Sequence, residues 1–306
     1  VGNMVRILAT DGMEKSAVEK LRSKGFEVVE QFYEPEELME QVKNFNVVVV
    51  RSATKVRKPI IDAALETKNL KVVIRGGVGV DNIDVDYARL NGVAVRNTPN
   101  ASSASVAELT IGHMFALARY IHISNVTMRE GKWNKKKYEG IELAGKTLGL
   151  VGFGRIAQEV AKRAKALGMK VQYTNTSGPK DGFGDYKYCT LDEIVETSDF
   201  ISLHIPFKKG SDAVIGAAQF AKMKDGVYLL NMARGGVVDE TALLDALDSG
   251  KVAAAAIDVF AEEPTKNERL YTHERVSLTP HIGASTKEAQ ERIGEEIVEI
   301  ISEYFK

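Results

Sequence analysis

The stretch Leu148-Gly149-Leu150-Val151-Gly152-Phe153-Gly154-Arg155-Ile156-Ala157 decides the fold. An apolar run suited to a buried strand enters a glycine turn, and a helical pattern then continues to Leu167. In such a GxGxxA turn the first glycine permits the tight bend. The second lets the backbone approach a pyrophosphate, and a small third residue lets helix and strand pack closely. The helix start adds free N–H groups and the positive end of a dipole. With strand before and helix after, the turn reads as a dinucleotide cradle, with Gly152, Gly154, Arg155 and Ile156 as candidate contacts. The next strand, Val171 to Thr174, is followed by Asn175, where NAD sites usually carry an acid for the ribose hydroxyls. Asparagine bonds a hydroxyl but does not repel a 2′-phosphate, and the nearest cation is Lys180. NAD is the expected cofactor, with NADP use open.

Outward from this turn, short β-branched runs alternate with amphipathic stretches along all 306 residues. Before it, Val5–Leu8, Glu27–Val29, Val47–Val50 and Lys71–Ile74 read as strands. Ser16–Lys24, Pro35–Asn44 and Pro59–Glu66 read as the helices between them. Continuous apolar runs suit parallel strands buried on both faces. A long helix is predicted over Ala101–Arg129. From Lys146 a second alternation follows, with strands at Thr147–Val151, Val171–Tyr173, Phe200–Leu203, Val227–Leu230, Ala254–Asp258 and Val276–Thr279, and a last helix at Thr286–Phe305. The pattern predicts an α/β protein of two doubly wound parallel-sheet domains.

Composition narrows the partners. Hydrophobic residues at 44% and charged residues at 27% exclude a disordered, collagen-like or disulfide-scaffold chain. Lys plus Arg is 41 against 42 Asp plus Glu, so there is no bulk attraction to nucleic acid or to an anionic membrane. A single cysteine, Cys189, suits a reducing compartment. No apolar run reaches the roughly 20 residues that span a bilayer, and no basic-then-apolar leader opens the chain. A cytoplasmic protein without a metal site is expected. Val1-Gly2-Asn3, ahead of Met4, reads as an added remnant.

Three strand ends in the second half deliver complementary chemistry. Asn231-Met232-Ala233-Arg234 follows one strand, Asp258 through Glu263 the next, and Thr279-Pro280-His281 the third. Ligands of open α/β sheets bind at that edge. Removing a hydride from a secondary alcohol requires a base for the hydroxyl proton, and His281 has the right intrinsic pKa. Glu263 suits the far ring nitrogen, where it would raise that pKa. Arg234 suits bidentate capture of a substrate carboxylate.

With these segments in view the chain resembles the D-isomer-specific 2-hydroxyacid dehydrogenases. It is most similar to their D-3-phosphoglycerate branch, in the short form without a regulatory domain. The resemblance runs through Val50-Arg51-Ser52-Ala53-Thr54-Lys55-Val56, Arg75 to Asp84, Asn97 to Asn100, Gly131 to Lys146 and His281 to Gln290. It implies that Arg234, Glu263 and His281 form the catalytic trio and that Asp258 bonds the nicotinamide carboxamide. His204 and Pro206 would lie beside the adenosine half, and Ala233 and Gly283 join the cofactor contacts. The backbone at Val78 and Gly79 would meet the substrate carboxylate. Arg51, Ser52 and Arg75 are further substrate candidates, and Lys136 or Lys137 would supply a phosphate contact in trans. The implied fold is a flavodoxin-like substrate domain at 1–100 and 283–306, and a Rossmann-type cofactor domain at 101–282. The latter would dimerise through 101–145. The implied reaction is oxidation of D-3-phosphoglycerate to 3-phosphohydroxypyruvate, the first step of serine biosynthesis. A glyoxylate or hydroxypyruvate reductase of the same fold is the alternative, and a dinucleotide-sensing transcriptional corepressor a more distant one.

Overall fold

In the computed structural model residues 3–306 are described; Val1 and Gly2, the start of the expected remnant, lie outside them. The chain divides into two compact units, one comprising residues up to Ser103 with Ala284–Lys306, the other Ala104–Gly283.

The first unit alternates β1 (Arg6–Ala9), α1 (Lys15–Ser23), β2 (Glu27–Glu30), α2 (Pro35–Gln41), β3 (Val47–Val50), α3 (Lys58–Leu65), β4 (Val72–Arg75), α4 (Val85–Leu90) and β5 (Ala94–Asn97). Its five strands are parallel in the order β2-β1-β3-β4-β5. Every residue of β3 is buried, as a central strand covered on both faces must be. Val48, Val50 and Val73 face one apolar layer with Ile61, and Val47, Val49 and Ile74 face the other. Sequence periodicity missed α4 and β5, each too short to show a period of its own.

The second unit begins one residue into α5 (Ser103–Arg119) and continues with α6 (Ile121–Arg129). The single helix predicted over Ala101–Arg129 is therefore two. Tyr120 between them adopts a left-handed conformation (φ 55°). The carbonyl of Ala118, which would continue the helical ladder, instead accepts the N–H of Ile141, and the ring of His122 bonds the carbonyl of Glu274. Tertiary partners thus end α5, and no proline or glycine at that point announces it.

There follow β6 (Thr147–Val151), α7 (Arg155–Ala166), β7 (Lys170–Thr174), β8 (Lys187–Tyr188), α8 (Leu191–Thr197), β9 (Phe200–Leu203), α9 (Ala217–Lys222), β10 (Val227–Asn231), α10 (Glu240–Ser249), β11 (Val252–Ile257), α11 (Glu268–Tyr271) and β12 (Val276–Leu278). All seven strands are parallel, in the order β12-β11-β10-β9-β6-β7-β8. The order reverses at β6, between β7 and β9. In a doubly wound sheet that switch point opens the ligand crevice at the strands' carboxyl ends. Helix α12 (Lys287–Tyr304) returns to the first unit, where Ile293, Ile297 and Ile301 join the layer containing Ile7 and Ile74. No helix among the described residues is long and apolar enough to cross a membrane.

Candidate active site

The glycine turn leaves β6 at the switch point. Gly152 has a positive φ of 92°, and a Cβ there would lie 2.3 Å from the carbonyl oxygen of His204, so the protein's own packing requires glycine. Gly154 differs. It caps the N-terminus of α7 with φ −81° and ψ −165°, a conformation open to any residue, and a Cβ would meet nothing within 4 Å. Neither strain nor packing explains a glycine there, whereas the close approach of a pyrophosphate to the helix start does. The residues present therefore fit a dinucleotide. Ala157 is fully buried under the turn, and Phe153 stacks on Tyr173 with ring centroids 3.9 Å apart. Arg155 is exposed and Ile156 half-buried at the start of α7.

Asn175 follows β7 directly, its carbonyl accepting from the Tyr188 hydroxyl and from the Gly178 N–H. His204 follows β9, with Nε2 2.8 Å from the Ser202 hydroxyl; burial lowers its pKa to about 4, so it is neutral. Pro206 is exposed two residues on.

Arg234, Glu263 and His281 follow β10, β11 and β12, three adjacent strands, at one edge of the sheet. The Arg234 turn is shaped by buried Asn231, whose side chain donates to the Arg234 carbonyl and accepts the Ala233 N–H. Oε1 of Glu263 accepts the Phe260 N–H, and Oε2 lies 2.7 Å from Nδ1 of His281. An ionised carboxylate only accepts, so Nδ1 carries the proton and the lone pair of Nε2 is directed away from the glutamate. The hydrogen bond to Glu263 raises the His281 pKa against the opposing pull of burial. The charges of Glu263 and Asp258 add to the rise, and that of Arg234 reduces it. Burial pushes the Glu263 carboxyl up, but the bond and charge of His281, with help from the Phe260 N–H and Arg234, hold it below the usual range.

Asp258, 1% exposed, accepts the Thr279 hydroxyl and the N–H groups of Ile282 and Gly283. Those three bonds engage both carboxylate oxygens, so Asp258 shapes the turn that carries His281.

The remaining candidates are carried by other elements. Arg51 and Ser52 follow β3 in the first unit, and Arg75 ends β4. Asp11 holds this β3 loop by accepting the N–H groups of Arg51 and Thr54 and the Thr54 hydroxyl, and Asn82 donates to the carbonyls of Arg51 and Thr54. Val78 is exposed, with its carbonyl held by Asn97, and Gly79 is beside it. Lys135, Lys136 and Lys137 form an exposed single turn of 3-10 helix in the second unit. Sequence reasoning did not single out Asp11, Asn82 or His113, whose partners are distant along the chain, nor Asn231, which acts on its own turn. Among the described residues no three metal-ligating side chains cluster.

Sheet order, glycine cradle and carboxylate-backed histidine together define a nicotinamide-dinucleotide-binding dehydrogenase. Residues 111–283 match the D-isomer specific 2-hydroxyacid dehydrogenase, NAD binding domain. The chain is 49% identical over 300 residues to a hydroxypyruvate reductase of Thermotoga maritima, covering 97% of each. It is 45% identical over 306 residues to a D-3-phosphoglycerate dehydrogenase of Methanocaldococcus jannaschii, covering 99% of this chain but 58% of that one. It superposes with a TM-score of 0.86, at 28% identity, on an NADPH-dependent glyoxylate/hydroxypyruvate reductase of Sinorhizobium meliloti in complex with NADP and malonate, covering 99% of this chain and 94% of that one. The chain belongs to the D-isomer specific 2-hydroxyacid dehydrogenase family.

Proposed function

We propose that this protein oxidises D-3-phosphoglycerate to 3-phosphohydroxypyruvate with NAD, as a cytoplasmic homodimer serving serine biosynthesis. The observation that carries the chemistry is the 2.7 Å contact between Glu263 and His281 at the edge of the dinucleotide sheet. A bound nicotinamide would supply the acceptor for the hydride from C2 of the hydroxy acid. His281 Nε2 takes the hydroxyl proton, and the Glu263 carboxylate stabilises the resulting imidazolium. Arg234 holds the substrate carboxylate and, in the reverse direction, polarises the keto oxygen. Gly154 and the start of α7 receive the pyrophosphate, with Arg155 and Ile156 beside it. Asn175 would hold the ribose, His204 and Pro206 the adenosine, and Ala233, Asp258 and Gly283 the nicotinamide end.

Arg51, Ser52, Arg75, Val78 and Gly79 complete substrate binding, and Lys136 or Lys137 meets the phosphate of the partner protomer's substrate. The likeness to the phosphoglycerate branch at 50–56, 75–84 and 131–146 supports these assignments. Exposed Ile121, Val126, Met128 and Trp133 support a dimer through this region, since so much apolar surface is otherwise left in water. Buried, unpaired Cys189 suits a reducing cytoplasm.

A second reading, reduction of hydroxypyruvate, is favoured by the Thermotoga relative, which this chain matches over nearly its full length. The same residues serve both reactions, and the phosphate separates them. Turnover of D-3-phosphoglycerate with NAD, beside hydroxypyruvate and glyoxylate with NADH or NADPH, is the test. A kcat/KM higher for hydroxypyruvate than for 3-phosphohydroxypyruvate would replace the first reading by the second.

A further inference from the structure

Behind His281 lies a chain of buried and half-buried polar side chains, of which the proposed reaction engages only Asp258. His113 sits on α5, 4% exposed, with Nδ1 3.0 Å from the Ser277 hydroxyl and Nε2 3.0 Å from the Thr279 hydroxyl. Thr279 donates to Asp258 at 2.7 Å, and Asp258 also accepts from Ile282 at 2.8 Å and from Gly283 at 3.1 Å. A hydroxyl carries a single proton. That of Thr279 goes to Asp258, so Thr279 must accept from His113, and Nε2 carries the ring proton. Nδ1 is then the acceptor for Ser277. Hydrogen bonds therefore run one way, from Ser277 through His113 and Thr279 to Asp258. A neutral ring suits this arrangement: burial lowers the His113 pKa to about 4, with the charge of Asp258 opposing and that of His122 assisting.

The end of this chain is the turn that carries His281. The backbone of His281 is left-handed (φ 54°), which is uncommon for any residue but glycine and must be held by its surroundings. Asp258 holds it from both sides, through Thr279 before it and through Ile282 and Gly283 after it. We propose that His113 is a positioning residue: by donating Nε2–H to Thr279 it orients the hydroxyl that, with Asp258, clamps the left-handed turn and keeps the His281 imidazole on Glu263. This rests on the assignment of His281 as the base. A leucine at 113 would take these partners from the buried Ser277 hydroxyl and from a lone pair of half-buried Thr279.

Three variants test the arrangement. His113→Gln retains one acceptor for Ser277 and one donor for Thr279, His113→Leu retains neither, and Thr279→Val removes the central hydroxyl at nearly constant shape. Wild-type His113 should show the Nε2–H tautomer by 15N NMR. In His113→Leu and Thr279→Val, kcat should fall about ten- to a hundredfold with little change in hydroxy-acid KM, as expected for a misplaced base. By NMR titration the His281 pKa should fall toward its ordinary value as Glu263 loses alignment, with Asp258 and Arg234 still facing the ring. Amide exchange at Ile282 and Gly283 should quicken. His113→Gln should retain wild-type behaviour in all three respects. If His113→Leu does not fold, Thr279→Val carries the comparison. Wild-type kcat and His281 pKa in Thr279→Val, or a His113→Gln protein no better than His113→Leu, would overturn the proposal. Tautomer, exchange and titration need no turnover, so an inactive wild type would refute the dehydrogenase reading alone.

Discussion

At the scale of single residues, the proposed reaction needs His281 unprotonated to catalyse oxidation and protonated to catalyse reduction. Removing the imidazole in His281→Ala should lower kcat about 10²–10⁴-fold, the usual worth of a positioned acid–base group. Unchanged circular dichroism would show that the fold is intact, and wild-type turnover would exclude His281 as the base. The Glu263 bond raises the His281 pKa, and oxidation needs the free base. The oxidative rate should therefore rise with pH through this raised value, and Glu263→Gln should move that limb to lower pH, read from kcat/KM against pH. The same pairing contributes stability that is complete below the unfolded histidine pKa near 6.5 and is lost as pH rises through the raised folded value. The proposed ribose contact of Asn175 bears on a separate selection. With no carboxylate there to repel a 2′-phosphate and no arginine beside it to reward one, NAD should be preferred with measurable NADP use. Asn175→Asp should remove the NADP activity, and a native preference for NADP above about tenfold (~1.4 kcal/mol) would reverse this assignment.

At the scale of elements, the two glycines after β6 should separate folding from binding. Gly152 is packed against the carbonyl of His204 at positive φ, so Gly152→Ala should destabilise the second unit by about 1–3 kcal/mol or more from strain and clash. Gly154 has room for a side chain and an ordinary backbone. Gly154→Val should therefore leave the melting temperature near wild type and raise the dinucleotide Kd at least about tenfold by blocking the helix N-terminus. Calorimetry on both variants checks the pair; tight binding by Gly154→Val would remove the pyrophosphate from α7. The strand–turn–helix context was legible because its signals are local. The division of labour between the glycines was legible in the same spacing, but the packing of His204 against the first of them was not, since His204 lies on a different strand end.

At the scale of the whole molecule, the exposed apolar residues of α6 and Trp133 and the three lysines beyond them bear on assembly. A Met128→Asp/Trp133→Glu protein should run as a monomer by light scattering if that face is the interface. In a Lys136→Ala/Lys137→Ala protein the KM for phosphoglycerate should rise roughly ten- to a hundredfold, because charge-assisted contacts are worth about 1.5–3 kcal/mol each. Glycerate should be little affected. Equal effects on both substrates, or a fully active native monomer, would remove the neighbour's clamp. Two neutral histidines of the second unit, buried His113 and half-buried His204, give a further global property. With folded pKa values of about 4 for His113 and His204, the unfolded chain takes up protons first as pH falls below about 6.5. Stability should fall between pH 6.5 and 4, and His204→Gln should flatten that fall in urea melts.

Periodicity, the glycine spacing and the strand-end placement of Arg234, Glu263 and His281 were determined by the sequence alone, because each depends on neighbours within a few residues. The doubly wound class followed from the same local signals. Only the tertiary structure decided how those side chains meet. The pairing of Glu263 with His281, 18 residues apart, was expected from their chemistry, but its 2.7 Å geometry, and the reach of His113 to Thr279 across 166 residues, are set only by the fold. The break at Tyr120 belongs with them: the helix ends where Ile141 takes the carbonyl of Ala118, a partner that exists only once the second unit has folded.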